Sequence, residues 1–268
     1  MQPFIETNGT YRTASRHISW WSGTFPTVTF YGHFLANVLR ASVLAKRGKY
    51  DGAQWYQSSL EVLQSLESMG VRFEITGVDH VRQLGTPCLV IGNHMGMLET
   101  TVLPAILQPI RNFTFIVKPS LMDYPFFKHV MRSREPIAVT QANPRQDLKI
   151  VLEDGTERLN QGTSIVAFPQ GARTSGFDPA GFNTLGIKLA KRAGVPMVPL
   201  ALKTDAWGVG SWIKDLGRID PAKKVHFAFG QPLWVDGRGT DQHQTIIRFI
   251  QEKLRSWQVE DRVDHENR

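Results

Sequence analysis

The chain has 268 residues, 41% hydrophobic and 21% charged, which suits one α/β domain with a sizeable core and room for a small extra lobe. A single cysteine, Cys88, excludes an internal disulfide framework and fits a reducing compartment; it opens an apolar run and reads as core. A net charge of +7 and a pI near 9.6 favour anionic partners, such as nucleic acid, anionic membrane or a phosphorylated substrate, without choosing among them.

In chain order, the first 17 residues are polar and are expected to be loose. No N-terminal stretch combines a basic flank, an apolar core and a small-residue cleavage site, so no signal peptide is expected. Residues 18–46 crowd Trp20, Trp21, Phe25, Phe30, Tyr31, Phe34, Leu35, Val38, Leu39 and Leu44, and Arg40, Lys46, Arg47 and Lys49 close the segment. From Ser19 to Leu39 there is no charged residue, yet polar side chains interrupt the apolar ones, which is poor for a spanning helix. Two readings stand: an interfacial segment with aromatic anchors and a basic edge, or an ordinary packing helix over the core. Tyr56, Leu60, Leu63 and Leu66 recur at helical spacing and predict a helix over 53–69.

Strands and helices then alternate. Val71, Phe73 and Ile75 alternate with polar residues and predict a half-buried strand, expected as an antiparallel edge. Strands follow at 87–91, 113–117, 137–140, 164–168, 197–202 and 225–229, and helices at 95–107, 124–131, 147–160, 183–193 and 240–257. Residues 260–268 are highly charged and expected to fray. The fold class is therefore α/β: a single domain with a mostly parallel twisted sheet flanked by helices, preceded by an N-terminal amphipathic helical segment.

Several predicted strands end in polar or basic residues: Asn93-His94, Lys118, Gln141, and Gln170 with Arg173. In an open parallel sheet these ends share one crevice, where ligands bind. His94 stands at a strand–helix junction with Glu99 five residues on. If His94 precedes the first turn, Glu99 can lean back to the imidazole. The alternative is a helix-capping His and a solvated Glu. Gly171, Gly176 and Gly181 flank Arg173 in a loop that suits a phosphate or is a plain connection. The residues of a P-loop, a G-x-S-x-G elbow, a zinc helix and paired C-x-x-C motifs are all missing, so no metal is expected.

Asn93-His94-x-x-x-x-Glu99, Lys118-x-x-Leu121, Phe168-Pro169-Gln170-Gly171-Ala172-Arg173 and Val195-Pro196-Met197-Val198-Pro199 occur in that order. Together they resemble the four blocks of the glycerolipid (lysophospholipid) acyltransferase superfamily, which includes the 1-acylglycerol-3-phosphate acyltransferases. The resemblance covers residues 71–232, and residues 18–46 are similar to that family's membrane-binding helices. It implies a division into an N-terminal membrane-interfacial segment (1–70), an acyltransferase domain (71–258) and a charged tail (259–268).

The resemblance implies His94 as general base, Glu99 as its orienting acid and Lys118 near the thioester oxygen. It implies an acceptor site that includes Asn93, Gln170, Gly171 and Arg173, with Pro199 shaping the pocket. It further implies an O-acyltransferase of phospholipid biosynthesis on the cytoplasmic side of a membrane, held peripherally. The donor is acyl-CoA or acyl carrier protein thioester, the acceptor a lysophospholipid, and no cofactor or nucleic acid takes part. The alternatives are another lipid or alcohol acceptor, or a silent lipid-binding homologue. Three departures bear on the acceptor: Gln170 replaces the usual Glu, Ala172 the usual Thr, and Gln141 an Arg, with Arg145 and Lys149 close enough to substitute.

Overall fold

The computed structural model describes residues 4–266 except 16, 125, 126, 141, 171, 172, 174, 175, 212 and 213. In chain order its elements begin with β1 (Tyr11–Arg12), α1 (Trp20–Thr24), α2 (Pro26–Lys46), α3 (Gly52–Ser68), β2 (Phe73–Thr76), α4 (Asp79–Arg82), β3 (Leu89–Gly92) and α5 (Leu98–Leu107). Then come β4 (Phe113–Val117), a 3-10 turn (Pro119–Met122), α6 (Lys128–Ser133), β5 (Ile137–Ala138), α7 (Pro144–Asn160) and β6 (Ser164–Ala167). The chain continues through α8 (Leu185–Ala193), β7 (Met197–Lys203), β8 (Val225–Phe229) and α9 (Thr240–Glu266).

The strands form one eight-stranded sheet in the order β1-β2-β8-β7-β3-β6-β4-β5. β7, β3, β6, β4 and β5 are parallel neighbours. β3 and β6 are buried along their whole length, as strands sandwiched by helices must be. Alternation sends Cys88 and Val90 to the face that packs with Phe30 of α2, Leu63 of α3 and Leu98 of α5. Leu89 and Ile91 face Val151 of α7, Leu189 of α8 and Ile250 of α9. Each such fully buried aliphatic side chain contributes about 1.5–3 kcal/mol. The chain leaves β3 through α5 towards β4, and leaves β6 through α8 towards β7 on the other side of β3. The carboxyl ends of β3 and β6 thus flank a topological switch point, where such sheets open a crevice.

Four expectations are corrected. The described part of the segment before residue 17 is not loose: Ile5 is buried, and Tyr11 and Arg12 pair antiparallel with Ile75 and Glu74. A two-residue strand has no periodicity of its own; the open edge of β2 recruits it. β2 is therefore not the edge, and it pairs parallel with β8, which itself runs antiparallel to β7. α5 begins at Leu98, three residues later than the apolar pattern predicts. α9 runs on to Glu266, through the tail expected to fray.

The N-terminal segment shares one hydrophobic core with the sheet, because Phe30, Phe34, Val38, Trp55 and Leu66 pack in the same cluster as Phe73, Val90 and Phe227. Among the described residues no helix is long and apolar enough to cross a membrane.

Candidate active site

Gly92 ends β3 where β7 comes so close that a Cβ would lie 2.8 Å from the Leu200 carbonyl oxygen. The next residue, Asn93, is 2% exposed. Its Nδ2 donates to the Leu202 carbonyl and its Oδ1 accepts from the Leu202 N–H, both at 2.8 Å. The side-chain amide thus takes the place of a strand pair, and the backbone is free to turn off the sheet. Asn93 was expected in the acceptor site; both its amide groups are spent on β7, so it pins the turn instead.

The turn has one organising acceptor. Glu99 Oε1 accepts from His94 Nδ1 (2.8 Å), Met95 N–H (2.6 Å) and Gly96 N–H (2.7 Å), while Oε2 accepts from the Thr204 hydroxyl at 2.6 Å. The carboxylate lies in the first turn of α5, where the helix dipole favours negative charge. It is fully buried. Burial alone would push its pKa up; the hydrogen bond and charge of His94, with the Thr204 and Gly96 hydrogen bonds, outweigh burial and hold it below the ordinary carboxylate value.

A carboxylate only accepts, so in the uncharged ring His94 Nδ1 carries the hydrogen and Nε2 the lone pair. Among the described residues Nε2 has no hydrogen-bond partner, and the side chain keeps 17% exposure. The ring stacks on Phe168 with centroids 4.6 Å apart and planes 9° from parallel. Gln170 Oε1 accepts the His94 backbone N–H at 2.9 Å, so the segment after β6 braces the imidazole from its flank. The imidazole is thus held in a fixed orientation, partly exposed, at the carboxyl ends of β3 and β6, a geometry that proton abstraction from a substrate would require.

The remaining expected residues divide. Lys118 follows β4 and is exposed, with its Nζ in no ion pair among the described residues. Arg173 follows β6, and its Nη1 donates to Asp215 Oδ1 in a short ion pair. Gly171 and Gln141 lie outside the described residues. Pro199 does not shape this site. It sits within β7 opposite Ile91, and its ring faces Gly230 and Phe249 on the α9 side. There it lines a cavity of about 420 Å³ with His80, Phe229 and Lys253. Strand alternation is the reason: Val198 and Leu200 take the α5 face, so Pro199 takes the other.

Three contributors escaped the sequence reading. Thr204 follows β7, and the same rule of polar residues at strand ends would have found it. Phe168 belongs to the Phe168-Pro169-Gln170-Gly171-Ala172-Arg173 motif, which by itself does not signal that its ring stacks on His94. Asp215 lies in the connection between β7 and β8, where no motif signals it.

A family model described as Acyltransferase matches residues 72–203, the span that carries His94, Glu99, Lys118 and Arg173 in this geometry. Over that span, just under half of its length, the chain is similar to the acyltransferase family. Its similarity to the 1-acyl-sn-glycerol-3-phosphate acyltransferase of Pseudomonas aeruginosa is 28% identity over 171 residues, 63% of this chain and 62% of that one. A probable enzyme of the same name from Mycoplasma genitalium is 30% identical over 142 residues, 52% of this chain and 48% of the relative. The chain thus spans about three-fifths or less of these relatives' lengths. The crystal structure of the 1-acyl-sn-glycerophosphate acyltransferase from Thermotoga maritima shares the fold: TM-score 0.64, 16% identity, 88% of this chain and 96% of that one. The matched span stops one residue short of Thr204 and well before Asp215.

Proposed function

We propose that this chain is a membrane-peripheral O-acyltransferase that moves a fatty acyl group from an acyl thioester to the free hydroxyl of a lysophospholipid, 1-acylglycerol-3-phosphate first among them. The observation that carries the reading is the His94–Glu99 pair: Nδ1 bound to a buried carboxylate and Nε2 open to the crevice. The relatives' names supply the acceptor.

In the reaction so written, the acceptor hydroxyl attacks the thioester carbonyl carbon while Nε2 takes its proton. Positioned general-base help of this kind is worth roughly 10²–10⁴-fold. Glu99 stabilises the imidazolium that forms. The tetrahedral intermediate collapses, the C–S bond breaks, and the thiolate recovers the proton from Nε2. An ester and a free thiol remain, and the chemistry balances without metal or redox cofactor. The oxyanion needs a donor. The N–H groups of His94, Met95 and Gly96 are already committed to Gln170 and Glu99. Lys118, at the carboxyl end of β4, the parallel strand on the far side of β6, is the group we assign to that task.

The apolar surface of α1 and α2 supports the membrane part. Trp20, Trp21 and Val28 are each more than 60% exposed, and Leu35, Leu39 and Val43 continue along α2. Lys46, Arg47 and Lys49 follow at its end. Aromatic anchors beside basic residues give two attachment signals. Tyr31 of α2 accepts from Trp207 Nε1 and donates to the Gly217 carbonyl, so this surface adjoins the loop that starts at Thr204. A lipid acceptor would enter beside the base, on the cytoplasmic face. The test is to incubate the purified protein with acyl-CoA or acyl carrier protein thioester and a panel of lysolipids. Product mass should report one added acyl chain, and no product from any pairing would refute the reading.

A further inference from the structure

We propose that Asp215 sets which head-group charge the acceptor site takes. The inference rests on the reading above, in which an acceptor phosphate docks near His94.

Arg173 is three residues beyond Gln170, whose side chain is hydrogen-bonded to the His94 N–H, so the chain holds the Arg173 Cα within about 10 Å of the Gln170 Cα. In 1-acylglycerol-3-phosphate the hydroxyl and the phosphate sit on neighbouring carbons. A guanidinium on the segment that follows β6 and touches the His94 turn through Gln170 is therefore a candidate for the phosphate, which it can hold in a two-oxygen fork. Here the guanidinium is already engaged: Asp215 accepts from Nη1, with side chains only 26% and 18% exposed.

Asp215 is held in place. Tyr124 hydrogen-bonds to it, and the Tyr124 pKa is pushed up by burial first and then by the Asp215 charge. Two residues on, the Gly217 carbonyl is tied to Tyr31 of α2, and Ile219 N–H donates to the Thr27 hydroxyl. A carboxylate fixed there has two consequences. It competes with an incoming phosphate for the same guanidinium and repels a dianion. It also offers a partner to a head group that carries an ammonium beside its phosphate. The site is a cation and an anion side by side, with Gln170 contributing no charge.

The experiment measures steady-state kinetics of the full chain with 1-acylglycerol-3-phosphate and with lysophosphatidylethanolamine, in the wild type and in Asp215→Asn. Asp215→Ser serves if the first variant folds poorly. Removing the carboxylate should lower the KM for the dianionic acceptor by about three- to tenfold, the scale of a partly buried charge pair. It should raise the KM for the ammonium-bearing acceptor, and leave the donor KM unchanged. A merely structural role would move both acceptors the same way. Parallel shifts, or no shift, overturn the proposal. If the wild type acylates neither lipid, the proposed function fails, and NMR titration with glycerol 3-phosphate and phosphoethanolamine reads Asp215 alone. There the variant should bind the first more tightly and the second more weakly, and any other pattern overturns the inference.

Discussion

Replacing Glu99 by Gln separates two things the carboxylate does. The amide oxygen can still accept from His94 Nδ1, Met95 N–H and Gly96 N–H, while the amide NH₂ meets Thr204, whose hydroxyl can turn to accept. Orientation and tautomer therefore survive, and the negative charge is lost. With the carboxylate 2.8 Å from Nδ1, the charge centres lie about 4 Å apart, and an ion pair at that distance is worth about 4 kcal/mol near a protein surface. Half the positive charge on the ring in the transition state would make that about 2 kcal/mol. The expected loss in kcat is thus roughly 30- to 1,000-fold, with little change in either KM. The assay is initial-rate acyl transfer, with thermal unfolding run alongside to confirm the fold. Glu99→Asp, one methylene shorter, should lose the reach to the Met95 and Gly96 N–H groups and lower stability as well as rate. A Glu99→Gln enzyme that keeps more than about half the wild-type kcat would refute the reasoning, because the buried charge would then have no part in the chemistry.

His226 should make stability pH-dependent: burial first, then the nearby Lys224 and Lys203, against Glu74 and Asp261, pull its pKa from 6.5 to about 4. Between those values the unfolded chain holds the extra proton, so stability should fall as pH drops from about 6.5 towards 4, by up to about 3 kcal/mol. Urea unfolding at pH 7 and pH 5 checks this, and His226→Phe, which can keep the stack on Trp257, should flatten the difference. Trp20→Glu with Trp21→Glu should release the protein from anionic vesicles without loss of thermal stability, since both side chains are more than 60% exposed. Raising salt should weaken wild-type binding, and equal sedimentation of wild type and variant would contradict the surface assignment. Asn93→Ala should destabilise the fold by about 1–3 kcal/mol, because the Leu202 N–H and C=O are left buried and unpaired, and should lower kcat by displacing the turn; chemical denaturation reads the first and initial rates the second.

The strand–helix junction at His94 was legible because it is local: an apolar run, Gly92, and a histidine five residues from a carboxylate. The convergence of the β3, β4 and β6 ends was legible because alternating strands and helices imply a parallel sheet. What was not legible depends on distant pairing. Asn93 looked like a ligand-facing residue because its partner, Leu202, is 109 residues away. The resemblance implies a pocket role for Pro199, but a motif does not say which face of the sheet its residues take, and in β7 Pro199 lies opposite Ile91 on the α9 side. Asp215 carries no motif, and only the folded loop brings it to Arg173. Met95 and Met97 continue the apolar pattern and so predict an earlier start for α5, whereas Glu99 takes the N–H groups of residues 95 and 96 and holds that stretch as a turn. β1 exists only because β2 has an open edge.

The central claim is that His94 Nε2 removes the proton of the attacking hydroxyl. The most direct measurement compares wild type and His94→Ala under saturating acyl thioester and lysolipid, following free thiol release and product mass together. His94→Ala leaves the buried Glu99 carboxylate its Met95, Gly96 and Thr204 hydrogen bonds, so the variant should lose some stability yet stay folded at the assay temperature, which thermal unfolding checks. Its turnover should fall by at least ~10²-fold with acceptor KM little changed. A His94→Ala protein that releases thiol and forms the acylated product at close to the wild-type rate would contradict the account.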